Sequence, residues 1–351
     1  MKAIIPAGGI TVHKELCESK ALHTSSIHHL DIFNSALTNH QKFEGCISDF
    51  FRKNGFHNVS VAIGTFDGVH LGHQQVIKKM IADAKIYSAA AVVVTFDRHP
   101  KTVIPHSKPP PLIYPLKQKL KMIELLDVGY TILIPFDINL SKLEAPCFVK
   151  ILRHELGNIK SISVGKNFLF GHNRTGNLSL LEKMGKHLGF EVHGLSAVSL
   201  DGKIISSTKV RDAISSGNLE LASQMLGREY SIFGTVVQGD GIGKKLGFPT
   251  ANIDVSGLVL PPNGVYAAHI VIKKSMYNAV LNIGVRPTIK QSAPQQRCEA
   301  HLLGFNSDIY GEEVEVIIEK KIRDEVKFKS LQALKRQIQK DIQEAKRIFK
   351  N

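Results

Sequence analysis

The 351-residue sequence contains no apolar run approaching the roughly 20 residues that a membrane-spanning helix requires. Its N-terminus has only a short apolar stretch after Lys2 before Pro6 and Gly8 interrupt it. That stretch is too short for the apolar region of a secretory signal. We therefore expect a cytoplasmic protein that does not associate with a membrane.

Cysteine is also scarce, and the four cysteines are far apart, at Cys17, Cys46, Cys147 and Cys298. A disulfide framework or a zinc site needs closely spaced pairs, and none is present. We therefore expect reduced thiols.

Residues 1–58 have no clean periodicity and give no functional signal. The histidines of this segment are dispersed without metal-ligand spacing, at His13, His23, His28, His29 and His40. We assign the segment no role.

Acidic residues are fewer than basic ones, which leaves a formal net charge of +14. Such a charge is typical either of a nucleic-acid-binding surface or of an enzyme whose substrates are polyanionic nucleotides. The lysines are scattered, and no basic-aromatic RNA-binding signature is present. We therefore expect small anionic substrates and no stable nucleic-acid partner; the oligomeric state is left open.

A chain of this length is too long for one compact core, and its pattern changes near residue 229. From about residue 59 to 200, β-type apolar runs alternate with helical patterns, which predicts a parallel sheet covered by helices on both faces. Strands are expected near 59–66, 90–96, 130–135, 161–165 and 190–195. Helices are expected at 70–86, 116–127, 143–156 and 177–188. Ligands of such sheets bind outside the carboxyl ends of the strands.

After about residue 229, short strand-like runs broken by glycine and proline predict a small antiparallel barrel. Its strands are expected at 231–237, 264–273, 277–283, 297–303 and 314–319. An amphipathic helix follows, with Ser330 as its N-cap and an apolar stripe that we interpret as a packing face. The predicted organisation is thus an N-terminal segment, an α/β domain and a barrel domain, at 1–58, 59–228 and 229–351.

The stretch 62–73 carries the most specific chemical signal. An apolar strand leads into a glycine-punctuated turn and then a helix start, with His70 and His73 on its first turn. A triphosphate bound at this helix start would contact unpaired backbone amides and two imidazoles, and it would lie at the positive end of the helix dipole. Without such a context, paired histidines on a surface turn are often solvated and have no function. The strand-turn-helix context favours nucleotide binding, and the spacing resembles the His-x-Gly-His mark of the adenylyl- and cytidylyltransferase superfamily.

Further motifs extend this resemblance along most of the chain. In the first half they are 64–73, 95–100, 164–171 and 205–211; in the second they are 234–252, 282–288, 298–303 and 321–328. With them the chain, from about Val59 to its C-terminus, resembles the prokaryotic family of bifunctional riboflavin kinases and FMN adenylyltransferases, often called FAD synthetases. It departs from the usual pattern at Thr65, Lys209 and Gly304, and none of these changes excludes either activity.

For the first half, the resemblance implies a Rossmann-like nucleotidyltransferase domain in which an FMN phosphate oxygen attacks the α-phosphorus of ATP. His70, His73 and Arg211 inherit catalytic roles on the ATP phosphates. Nucleotide- and phosphate-binding roles fall on Gly64, Phe66, Gly72, Ser207 and Thr208. Asn167 is a candidate flavin contact.

For the second half, the resemblance implies a riboflavin kinase barrel. Glu299 matches the catalytic base that accepts a proton from the riboflavin 5′-hydroxyl. Thr250 and Asn252 are expected to hold Mg²⁺ with the nucleotide, and Arg323 is a candidate flavin contact. The phosphates are expected to lie on the glycine-rich loop, at Gly239, Gly241, Gly243 and Lys245.

The leading interpretation is a two-step transferase that uses ATP and Mg²⁺. Riboflavin becomes FMN in the barrel, and FMN becomes FAD plus pyrophosphate in the α/β domain. One alternative is that only one of the two domains is active. Another is a basic RNA-binding protein on a nucleotidyltransferase fold, which would bind with a steep salt dependence.

Overall fold

The computed structural model describes residues 5–6, 42–43, 47–239, 241, 243, 246–286 and 295–350. The chain divides into two compact units. The first comprises Met1–Pro110 and Leu116–Ser206, and the second comprises Pro111–Pro115 and Ser207–Asn351. Within the described part of the chain, every helix is too short or too polar to cross a bilayer.

The first unit is built on a five-stranded parallel sheet. The strands of this unit, in chain order, are β1 (Ile5–Pro6), β2 (Lys42–Phe43), β3 (Asn58–Ile63), β4 (Ala90–Phe96), β5 (Tyr130–Ile134), β6 (Asn158–Gly165), β7 (Glu191–Leu195), β8 (Ser199–Leu200) and β9 (Lys203–Ile204). The main sheet has the order β5-β4-β3-β6-β7, while β1 pairs with β2 and β8 with β9. Strands β3 and β5 are buried along almost their whole length, as expected for a sheet covered on both faces.

Helices cover the two faces of this sheet. They are α1 (Ile47–Lys53), α2 (Leu71–Ile86), α3 (Leu116–Glu124), α4 (Ile138–Ser141), α5 (Ala145–Leu156) and α6 (Leu178–Leu188). Successive residues of a strand point to opposite faces, so Ile63 joins the core containing Phe148 of α5, whereas Ala62 joins the core containing Ile77 of α2. The site-bearing helix α2 is thereby seated on the sheet by its apolar face.

The second unit contains two helices, a closed six-stranded barrel and a final helix. These elements are α7 (Ser207–Ser215), α8 (Leu219–Leu226), β10 (Ser231–Val237), β11 (Ala251–Asp254), β12 (Gly264–Ile272), β13 (Ser275–Arg286), β14 (Gln295–Leu302), β15 (Glu313–Arg323) and α9 (Leu331–Ile348). The barrel order is β10-β11-β14-β13-β12-β15, and every pairing is antiparallel.

The predicted fold class is confirmed: a parallel α/β sheet precedes an antiparallel barrel and a closing helix. The short elements that were not predicted are α1, α4, α8, β1, β2, β8, β9 and β11. Helix α1 lies in the segment left without a role, yet its Phe51 is 1% exposed in the core of the first unit. Ser330 caps α9 as predicted, by accepting the Ala333 amide proton. The apolar stripe predicted for this helix begins at Leu331, and the prediction of packing is wrong for that residue, because Leu331 is 66% exposed.

The prediction of reduced thiols is wrong at Cys147, which is disulfide-bonded. Cys298 is free and buried, as expected for a reduced thiol.

A buried ion pair anchors α9 to the barrel. Arg323 of β15 binds Asp341 through two parallel hydrogen bonds, from Nε to Oδ1 at 2.9 Å and from Nη2 to Oδ2 at 2.7 Å. The Asp341 side chain is only 4% exposed, and Gln337 donates to the same carboxylate. This paired geometry is the one in which a buried charge is well compensated.

Replacing Asp341 by alanine is expected to lower the free energy of unfolding by about 3 kcal/mol, because the guanidinium loses its compensating charge. Urea denaturation followed by circular dichroism measures the loss. Glu344→Ala is the control, since Glu344 forms an exposed pair with Arg347 on the same helix and is expected to change stability by less than about 0.5 kcal/mol. Equal losses in the two variants would contradict the anchoring role.

Two candidate active sites

The first candidate site lies at the carboxyl edge of the parallel sheet. Strand β3 ends at Ile63, and the chain reaches the start of α2 at Leu71 after a single turn. Its neighbours in the sheet are β4 and β6, so the segments that follow these three strands leave the sheet at one edge. This is the edge where open parallel sheets bind ligands.

His70 and His73 meet at the beginning of α2. His70 is the N-cap residue, and its Nδ1 accepts the His73 amide proton at 3.4 Å. The two imidazoles stack with centroids 3.6 Å apart, and the Phe66 ring meets His73 edge-on at 5.3 Å. The prediction that the backbone amides of this turn are unpaired is thus wrong for His73, because its amide donates to the His70 ring. Because Nδ1 accepts, a neutral His70 carries its proton on Nε2.

The turn before these histidines is strained. Phe66 and Val69 have φ values of 49° and 43°, a left-handed backbone that is unusual for any L-residue and more so for a β-branched one. Glycines flank the strain: a Cβ on Gly64 would lie 3.0 Å from the Phe66 ring, and one on Gly72 would lie 3.2 Å from the His70 ring. Such conformations concentrate at functional sites, where surrounding contacts hold them.

Lys119 of α3 is a residue of this edge that sequence analysis missed. Its side chain is buried, and Nζ donates to the Phe96 carbonyl at 2.6 Å and to the Thr65 carbonyl and the Thr95 hydroxyl at 3.3 Å each. Burial lowers the pKa of this ammonium to about 8, against the opposing effect of two nearby carboxylates. No sequence signal marked it, because a lysine in a lysine-rich amphipathic helix is normally solvated.

Asn167 lies in the turn after β6, at the same edge of the sheet. It is exposed, and the turn is closed by the Phe168 amide donating to the Gly165 carbonyl at 2.8 Å. Its exposed side chain is available to a ligand, and its role as a flavin contact stays a prediction.

Ser207, Thr208 and Arg211 open α7, which belongs to the second compact unit. Arg211 Nε donates to the Pro111 carbonyl at 2.7 Å within that unit. His70 and His73 belong to the first unit. That all five residues serve one triphosphate therefore stays a prediction.

The second candidate site is a row of polar side chains across three neighbouring barrel strands. Glu299 of β14 is paired directly with Asn252 of β11 on one side and with Asn282 of β13 on the other. Directly paired residues project from the same face of a sheet, so the carboxylate lies between two amides. Arg297 Nη1 lies 3.4 Å from Glu299 Oε1. The Glu299 side chain is 25% exposed, which leaves it accessible to a substrate.

The glycine-rich loop approaches this row closely. A Cβ on Gly239 would overlap the Asn252 amide, and one on Gly243 would lie 2.5 Å from the Phe248 carbonyl and 3.1 Å from Thr250 Oγ1. Only glycine permits such contact of backbone with side chain. The structure thus brings predicted loop residues to both predicted Mg²⁺ ligands. Gly241 is described with a φ of 68°, whereas Lys245 lies outside the described residues.

His301 holds the segment that enters β11, and its role was not predicted. Its Nδ1 donates to the Pro249 carbonyl at 2.8 Å, and its ring meets Phe248 edge-on at 5.8 Å between centroids. The available signal was its place two residues after Glu299, on the same face of the strand. Thr250 is therefore fixed from the neighbouring strand.

The donor set suits a hard cation shared with a nucleotide. Thr250 and Asn252 offer neutral oxygens beside a loop able to approach phosphates, and Mg²⁺ is usually held by few protein oxygens together with substrate phosphates. Within the described ranges, three or more His, Cys, Asp or Glu side chains are nowhere grouped to hold a metal. The residues present fit Mg²⁺ through Thr250 and Asn252.

Two further residues, Cys298 and Arg323, lie near this row, and their surroundings limit the roles that they can have. Burial, followed by the charge of Glu299, raises the pKa of Cys298 to about 12, so this thiol stays protonated and is not a nucleophile. Arg323, the candidate flavin contact, uses Nε and Nη2 on Asp341 and Nη1 on the Asp324 carbonyl. Its contact with flavin stays a prediction.

Family models match both halves of the chain. A model described as FAD synthetase matches residues 53–209, and one described as riboflavin kinase matches residues 226–349. The two matches follow the order of the two units.

Whole-length relatives carry a single description. The chain is 37% identical to a bifunctional riboflavin kinase/FMN adenylyltransferase of Buchnera aphidicola subsp. Schizaphis graminum, over 83% of this chain and 94% of the relative. It is 36% identical to the Escherichia coli K12 protein of the same description, over 84% and 96%. A Streptococcus pneumoniae crystal structure titled as a macrolide-efflux protein has a TM-score of 0.68 and 29% identity, over 82% of this chain and 94% of that one.

Gly239→Ala is expected to lower riboflavin phosphorylation on the order of 100-fold, because the new methyl group displaces the Asn252 amide from the loop. Steady-state FMN formation measures the change. Gly257→Ala is the control: Gly257 has a φ of 76° and open space around its Cβ position, so this variant adds backbone strain, which Gly239→Ala does not, without touching the row. Similar loss of activity in both variants would show that contact with Asn252 is not the cause.

Proposed function

The chain belongs to the bifunctional riboflavin kinase/FMN adenylyltransferase family, and from this premise we propose which residues carry each activity. The protein makes FMN from riboflavin and ATP, and FAD from FMN and ATP. We assign the first reaction to residues 229–351 and the second to residues 59–228. The family matches at 226–349 and 53–209 support this division.

Adenylyl transfer is proposed to occur at the turn between β3 and α2. A phosphate oxygen of FMN forms a bond to the α-phosphorus of ATP, and the bond between that phosphorus and the bridging oxygen breaks to release pyrophosphate. No protein nucleophile is required, so the task of the protein is positioning and charge stabilisation. His70 Nε2–H and His73 donate to the ATP phosphates at the positive end of α2. The stacked rings at this terminus are the observation that supports the assignment.

Other contacts of this reaction rest on the family motifs. Asn167, exposed at the same sheet edge, is proposed to contact FMN. Ser207, Thr208 and Arg211 are proposed to hold the departing pyrophosphate through hydroxyl and guanidinium donors.

Riboflavin phosphorylation is proposed to occur at the barrel row. Glu299 accepts the proton of the riboflavin 5′-hydroxyl, and the resulting oxygen forms a bond to the γ-phosphorus of ATP while ADP leaves. The backbone of the loop at Gly239 and Gly243 approaches the phosphates. Thr250 and Asn252 would hold Mg²⁺, which when bound neutralises charge on the transferring phosphoryl group. The Asn252–Glu299–Asn282 register carries this assignment.

A time course with riboflavin, ATP and Mg²⁺, resolved by chromatography, tests the whole scheme. FMN is expected to rise first and then to give way to FAD. Accumulation of FMN without FAD would show that the first unit has no adenylyltransferase activity. An absence of any conversion would contradict the assignment of both reactions.

The two reactions are expected to separate by mutation. His73→Ala should lower FAD formation from FMN by about 100-fold or more, because it removes a donor to transition-state charge, and should leave FMN formation unchanged. Glu299→Gln should lower FMN formation by about 100-fold or more and leave FAD formation from supplied FMN unchanged. Rates measured with riboflavin or FMN as the starting flavin distinguish the outcomes. Equal impairment of both reactions in either variant would contradict their separate sites.

Arg211 tests which reaction α7 serves, because this helix is grouped with the barrel unit. Arg211→Ala is expected to lower FAD formation by about tenfold or more through the loss of a charge-assisted hydrogen bond, and to spare FMN formation. Lys209→Ala is the control on the same helix, since its cation is not assigned to the phosphates. Loss of FMN formation alone would move α7 to the kinase and shift the proposed division at residue 228.

A further inference from the structure

We propose that Lys119 is a positioning residue for adenylyl transfer. Its ammonium ties the turn after β3 to the end of β4 and thereby holds the strained turn that leads to His70. This inference rests on the proposed function of that turn.

The ammonium has a complete set of oxygen partners from two segments. One is the Thr65 carbonyl, which begins the turn, and the other two are the Thr95 hydroxyl and the Phe96 carbonyl at the end of β4. An ammonium has three donors, so these oxygens use all of them. Thr95 Oγ1 also donates to the Thr65 carbonyl at 3.2 Å. The start of the turn is therefore held by two side chains from two different elements.

The position of this clamp explains its consequence for the site. Thr65 immediately precedes Phe66, the first of the two non-glycine residues of the turn with left-handed backbone, and the second is Val69, next to His70. Strained backbone persists only where surrounding contacts over-determine it. Loss of the clamp would let the turn relax, and small displacements of groups that orient reactants are costly to rate.

The surrounding charges are consistent with a functional lysine. The carboxylates that face Lys119 are Asp67, from the turn after β3, and Asp97, from the segment after β4. Asp67 is 6% exposed, whereas Asp97 also binds Arg98 and accepts the Phe136 amide proton at 2.8 Å. Apolar residues often replace buried charges without loss of stability. An ammonium retained among carbonyls at a ligand-binding edge therefore indicates a role in function.

The test compares Lys119→Met with Lys119→Arg in the full chain. Gln118→Met is the matched control, because Gln118 is the preceding residue of α3, is 6% exposed and has an amide nitrogen with no hydrogen-bond partner among the described residues. FAD formation from FMN and ATP is measured as kcat and KM from about pH 6 to about pH 9.5, a range that includes the Lys119 pKa of about 8. Riboflavin phosphorylation by the same preparations reports the integrity of the barrel, and circular dichroism reports folding.

Lys119→Met is expected to lower kcat/KM for FAD formation by about 100-fold at neutral pH, with folding and riboflavin phosphorylation retained. Lys119→Arg should recover part of this loss, because it restores the cation. In the unmodified protein FAD formation should fall as pH rises through about 8, where the buried ammonium loses its proton. Lys119→Arg should lack that fall, because a guanidinium stays protonated.

Three results would overturn the proposal. One is Lys119→Met as active as Gln118→Met. Another is activity lost only in proportion to the folded fraction, which is the signature of a purely structural residue. The last concerns Lys119→Arg. The proposal fails if this variant is as inactive as Lys119→Met, or if its FAD formation still falls as the pH rises through about 8. If His73→Ala also leaves FAD formation intact, the proposed function of the turn fails; if only the Lys119 variants do so, this inference alone fails.

Discussion

Parallel pairing of β3 with β4 and β6 is the constraint on which the first site depends. Because the three strands run in one direction, the segments that follow them leave the sheet at the same edge. The histidine pair, the Lys119 clamp and Asn167 are far apart in sequence, yet all lie at that edge. The chain has only residues 64–70 in which to turn from β3 into α2, and the strain at Phe66 and Val69 accompanies this short connection.

The barrel uses register in the same way. Asn252, Glu299 and Asn282 come from three strands and form a row because their pairings place them directly opposite one another. A one-residue slip of β14 would send Glu299 to the opposite face of the sheet. His301 resists such a slip at one end of the strand by holding the Pro249 carbonyl. In both units, then, backbone pairing decides which side chains can act together.

Periodicity explains how much of the fold was predictable. Long elements such as α2 and β12 have several repeats of their pattern, so their presence and type followed from the sequence. Helix α1 and strand β11 are seven and four residues long, too few to show a period. The motif residues were found through family resemblance, but the register that places Asn282 beside Glu299 depends on pairings between distant segments. Sequence patterns alone do not specify those pairings.

Buried charge was the feature least visible in the sequence. Lys119 and Asp341 both lie on helices rich in charged residues, where the pattern predicts solvent-facing positions. Their surroundings differ. Asp341 faces Arg323 in a two-point ion pair, so its burial is compensated directly and indicates a structural anchor. Lys119 donates to neutral oxygens, and its pKa is lowered by burial despite the nearby carboxylates, so its desolvation is compensated only in part. An incompletely compensated charge beside the candidate adenylyl-transfer site is better explained by function than by stability.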